Sequence, residues 1–120
     1  MHKSFTQIGE FLKQCHFKGS DNFFHRITDS YVILVQLDGS PDGAGFTISY
    51  GLHPVLPGIR KIHHRDYMLT NCTSRGQVLN SANEPVWNYH MSHDDFAALT
   101  NNLLAAISAL EAKIQRKSES

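Results

Sequence analysis

The chain has 120 residues, and its eleven basic and eleven acidic side chains cancel before the eight histidines are counted, so it has the size of one domain built around one core (residues 1–120). A chain without net charge lacks the long-range positive field that gathers polyanions, which argues against nucleic acid or an anionic membrane as partner. No stretch reaches the length of an apolar membrane span or of a signal-peptide core, so the sequence reads as cytoplasmic, with Cys15 and Cys72 as reduced thiols packed like small hydrophobes.

Ser4 and Gln7 have the spacing of a capping box, and Phe5, Ile8, Phe11, Leu12 and Cys15 then recur at helical intervals, which predicts a first helix over about Phe5 to Cys15. After the turn residues Gly19 to Asn22, strands are expected at Phe23–Thr28 and Tyr31–Leu37, joined through Asp29 and Ser30. A two-residue loop there sets Arg26 opposite Ile33 and Phe24 opposite Val35 on one face, and His25 opposite Leu34 and Phe23 opposite Gln36 on the other. Residues 38–45 read as a connection into a third strand, where Phe46, Ile48, Tyr50 and Leu52 alternate with small or polar residues.

Residues 53–66 carry two prolines and a basic cluster and read as a crossing segment. A fourth strand is expected over Tyr67–Ser74, followed by an irregular stretch in which Val78, Leu79, Val86 and Trp87 fold back on the body. Ser92 to Asp95 then open a long helix. Phe96, Leu99, Leu103, Ile107, Leu110 and Ile114 form its stripe, with Asp94 and Asp95 at its positive end and Lys113, Arg116 and Lys117 at its negative end. The fold class implied is α+β: an antiparallel sheet of about four strands with the N-terminal and C-terminal helices packed on one face.

Both faces of the Phe23–Leu37 hairpin are rich in large apolar side chains, and two helices can cover only one. The other face needs the proline-rich crossing segment and the Trp87 region over it, or a second molecule, because a contiguous exposed apolar patch marks an interaction site. His25, Arg26 and Gln36 interrupt that hairpin, and Arg60, His63, His64 and Arg65 form the sharpest local charge feature. These seven are the candidate partner-binding residues.

The same stretches carry a resemblance. Phe17-Lys18, Asn22, Phe24 and Arg26 after an amphipathic helix, a hydrophobic strand ending in Gln36, then Cys72 with Arg75 and Gly76, and later Trp87, resemble a family of small bacterial α+β domains of unknown function. The likeness covers roughly Phe5 to Tyr89. His16 stands where that family usually has glycine, a position just past a helix that favours a left-handed backbone. The family has no settled activity, so the resemblance implies a fold and no catalytic residue.

Chemistry is sparsely written. His53, His63, His64, His90 and His93 lack the spacing that converges three or four donors on zinc, so neither a metal nor a cofactor is expected. A cysteine nucleophile needs a base beside it, and neither cysteine has an evident one. No nucleophile elbow, phosphate loop or dinucleotide fingerprint is present. The first functional reading is a non-catalytic bacterial binding protein, an immunity protein or antitoxin that neutralises a toxin by surface contact. The alternative is a small enzyme or ligand-binding domain with a His/Arg-lined pocket, and the third is a structural homodimer module.

Overall fold

The computed structural model describes residues 3–28, 30–58, 61–63 and 65–119. Helix α1 (Lys3–Gln14) leads through strands β1 (Lys18–Ser20), β2 (Phe23–Ile27), β3 (Tyr31–Gly39) and β4 (Gly45–Pro54) to a short 3-10 turn (Leu69–Asn71), then β5 (Ser74–Gln77), β6 (Val86–Asn88) and helix α2 (His93–Glu119).

Helix α1 turns Ile8 and Leu12 fully inward, as their spacing requires. Gly9 lets the sheet come close, since a Cβ there would stand 2.9 Å from the Phe24 ring. Ser4 departs from expectation. It is buried inside the helix, and its hydroxyl donates to the Tyr89 carbonyl at 3.0 Å, tying α1 to the chain before α2. The helix ends as a left-handed turn: His16 has φ 70° and its N–H donates to Lys13 O, while Phe17 N–H donates to Leu12 O.

All sheet pairings are antiparallel, in the order β1-β2-β3-β4-β5, with β6 also on β4. The β2–β3 register is the one read from the sequence, with Arg26 opposite Ile33, His25 opposite Leu34 and Phe23 opposite Gln36. β3 and β4 form the centre, paired from Tyr31↔Pro54 to Gly39↔Phe46. β5 lies against the Ser49–Leu52 part of β4 and β6 against Gly45–Thr47, so the two short strands share one edge.

The α+β class with an antiparallel sheet holds, the described residues forming six strands, three of them of three or four residues, against the expected about four, and two boundaries are corrected. Tyr67–Ser74 is not a strand: Tyr67 is buried against the sheet face, the 3-10 turn follows, and pairing begins only at Ser74. A large aromatic that lays its ring on a sheet cannot also extend as an edge strand beside it. The stretch read as irregular contains β6, where Trp87 lies opposite Phe46 and its indole N–H donates to Val78 O at 3.0 Å.

Both helices cover one face. Ile8 and Leu12 of α1 and Leu99, Leu103, Ile107 and Leu110 of α2 meet Phe24, Ile33, Val35, Leu37, Phe46, Ile48 and Leu52, and Trp87 belongs to this core rather than to the far face. At the start of α2 the Ser92 and Asp95 side chains each accept the other's backbone N–H at 3.1 Å, the capping box expected there. The α2 stripe is spent on the protein's own sheet as far as Ile114. No helix among the described residues is long and apolar enough to cross a membrane.

Candidate functional site

The described residues cover the far face of the sheet only in part. Those between 55 and 72 cross it as a roof, with Tyr67 buried over Val32 and Leu34 and with Phe23, Leu56, Ile62, Leu69 and Cys72 packed around them. Tyr67 fixes this roof: its ring lies 4.6 Å from the His53 ring between centroids, and its hydroxyl accepts the Leu56 N–H at 2.9 Å. Gly51 makes room for it, because a Cβ there would stand 2.7 Å from Cys72 Sγ.

The strand registers set the far-face side chains in rows across the sheet. His25, Leu34, Gly51 and Arg75 form one row, and Phe23, Gln36, Ser49 and Gln77 form the next. The roof ends between them. Beyond its edge lies an open groove of about 370 Å³ bounded by Asn22, Phe23, Gln36, Met68, Leu69 and Thr70. Leu69 separates it from a second depression of about 410 Å³ over Ser49, Arg75 and Gln77. Met68 stands at the lip, 46% exposed. Gln36 donates from its amide nitrogen to the Asp38 carboxylate at 3.1 and 3.3 Å, which steadies its side chain at the groove floor.

The residues singled out from the sequence separate onto different surfaces. His25 and Gln36 are on the far face, and His25 and His63 line a common depression of about 300 Å³ beside the β1–β2 turn. Arg26 points the other way. It donates to Cys15 O at 3.0 Å, pairs with Glu111 of α2 and lies 5.1 Å from the Phe17 ring, so it ties both helices to the sheet edge. Arg65 is exposed on the roof, and its N–H donates to His63 Nδ1 at 3.2 Å. Arg60 and His64 lie outside the described residues. Sequence reasoning missed Met68, Leu69, Ser49, Arg75 and Gln77 as groove residues. "SRGQ" is too short and polar to read as a strand, so nothing in it signals which face Arg75 would take.

Burial pushes the Cys72 thiol up to about 11, with the Arg75 charge pulling only part of the way back. At neutral pH it is a protonated thiol, and it donates to Met68 O at 3.7 Å, so it serves packing rather than nucleophilic attack. Cys15 is raised in the same way, by burial, against the lowering charge of Arg26. His25 is held below its ordinary value, first by burial and then by the Lys18 ammonium, and its Nδ1 is buried without a hydrogen-bond partner. Among the described residues no group of three His, Cys, Asp or Glu side chains is placed to hold a metal ion. The groove's means are therefore apolar contact, hydrogen bonding through Gln36, Ser49 and Gln77, and the charge of Arg75.

No family model, curated protein or solved structure matches this chain.

Proposed function

We propose that the chain is a non-catalytic protein-binding domain that takes its partner on the open part of the far sheet face. The observation that carries this reading is the open row Gln36–Ser49–Gln77, which begins at the half-buried Phe23 and is walled by the exposed Met68 and by Leu69. A groove with an apolar wall and a hydrogen-bonding floor suits a protein segment, whose side chains fill the one and whose backbone meets the other. The finer identity of the partner, a toxin neutralised in the manner of an immunity protein or antitoxin, belongs to the same proposal.

A ligand pocket lined by His and Arg is the second reading, favoured by His25 and His63 sharing one depression. It is the weaker of the two because Arg26 faces the helices and is engaged with Cys15 O and Glu111.

The test is affinity capture from the source organism with the parent chain, Met68→Glu and Gln36→Lys side by side. The parent is expected to retain a protein that both variants release, with a melting temperature within about 3 °C of the parent for the exposed Met68→Glu and within about 8 °C for Gln36→Lys, which gives up a hydrogen bond to Asp38 worth about 1 kcal/mol. Retention of the same protein by both variants would overturn the reading.

A further inference from the structure

The two depressions that meet at Leu69 differ in chemistry. On the β2–β3 side Phe23, Met68 and Leu69 supply apolar surface. On the β5 side stands Arg75, placed on the far face by its pairing with Gly51. Arg75 is exposed, and among the described residues its guanidinium has neither a carboxylate nor a hydrogen-bond partner. The acid nearest along the rows, Asp38, already receives the Gln36 amide. The segment that walls the groove is also cationic in a chain of zero net charge, since its described residues between 55 and 77 include Lys61, Arg65 and Arg75 against Asp66 alone.

Strands lie about 4.8 Å apart and Arg75 stands one row along, so the path from the Phe23–Gln36 subsite to it is about 12 Å across the strands and about 7 Å along them, about 14 Å in all, or about four residues of extended chain. We infer, on the basis of the binding function proposed above, that the open face takes an extended acidic segment of a protein, with an apolar side chain against Phe23 and Leu69 and a carboxylate about four residues further along paired with Arg75. An even spacing is required because alternate side chains of an extended segment face the same way. A guanidinium holds a carboxylate by two parallel bonds, which makes Arg75 the selective element and the apolar subsite the anchor.

Phage-displayed random peptides panned against the full chain, Arg75→Glu and Met68→Glu test this. The parent should enrich sequences with Asp or Glu about four residues from a large apolar residue, and Arg75→Glu should enrich Lys or Arg at that position instead. A synthetic peptide made from the parent selection should bind Arg75→Gln about 10- to 100-fold more weakly, the value of a charged hydrogen-bonded contact. Peptides that are lost on Met68→Glu but show no acidic preference, and bind Arg75→Glu as well as the parent, would overturn the carboxylate inference and leave the groove standing. Failure to enrich any peptide sensitive to Met68→Glu would overturn the groove itself, and the inference with it. Circular-dichroism melts of the variants separate lost contacts from lost fold.

Discussion

Tyr67→Ala should unfasten the roof. The ring is fully buried against Val32 and Leu34, faces His53 at 4.6 Å and holds Leu56 N–H through its hydroxyl at 2.9 Å. Truncating a large buried aromatic costs about 3–5 kcal/mol, and the lower end is expected where a loop can settle into the space vacated. The hydroxyl's share is separable, because Tyr67→Phe keeps the ring and removes one hydrogen bond worth about 1 kcal/mol. Equilibrium urea unfolding should give a loss of about 3 kcal/mol for the alanine variant and about 1 kcal/mol for the phenylalanine variant. An increase in binding of a hydrophobic dye to the folded alanine variant would report the exposure of Val32 and Leu34. A loss below about 1 kcal/mol for Tyr67→Ala, or equal losses for both variants, would refute the reading of Tyr67 as the fastening of the roof.

Gly51→Ala should destabilise by about 1–3 kcal/mol, because the new methyl would meet Cys72 Sγ at 2.7 Å and Ser74 O at 3.0 Å. Adding Cys72→Ala should recover part of that loss in a double-mutant cycle, and strict additivity would show that the two residues do not meet. His16→Gly should raise stability by about 1 kcal/mol, read in the urea midpoint, since φ 70° costs histidine and not glycine. Burial and Lys18 lower the folded His25 value, so the unfolded chain takes up this proton first. Stability should fall as pH drops below about 6.5 and stop falling below the folded His25 value, and His25→Gln should remove that part of the slope. Arg26→Ala should cost about 1–2 kcal/mol through the lost Cys15 and Phe17 contacts, whereas Glu111→Gln, on an exposed pair, should cost under about 1 kcal/mol in the same unfolding assay.

The parts of the fold legible in the amino-acid sequence are those in which a local period and a packing demand agree. The α1 and α2 stripes, the Ser92–Asp95 cap and the β2–β3 register are of this kind, because a one-residue slip would turn Phe24, Ile33 and Val35 out of the core. The left-handed residue at His16 is legible through the resemblance, which has glycine at this place just beyond a helix. Short edge strands are not. β1, β5 and β6 have three or four residues each, too few to establish alternation, and their existence is decided by whether β2 and β4 have an unpaired edge to fill. Tyr67 was misassigned for a related reason, since an aromatic flanked by polar residues fits an edge strand as well as it fits a plug over a sheet. Of the candidate site, Gln36 was legible as a polar residue in an apolar strand, while Arg75, Met68 and Leu69 were brought beside it by the crossing segment, a non-local event that no periodicity records.

The far-face residues of β3 trace the roof's edge. Its helix-facing positions Ile33, Val35 and Leu37 are buried and apolar throughout, but its far-face positions change from Val32 and Leu34, fully buried, to Gln36 and Asp38, which are not. The strand is doubly apolar where Tyr67 covers it and one-sided where no described residue does. Phe23 opposite Gln36, and Leu69 beside it, pack against the Val32–Leu34–Tyr67 cluster, which accounts for their size without a partner. Met68 is different, being 46% exposed at the same border. On the proposed docking, Met68→Gln loses the partner at unchanged stability, whereas at a solvated rim the substitution is tolerated and gains solubility.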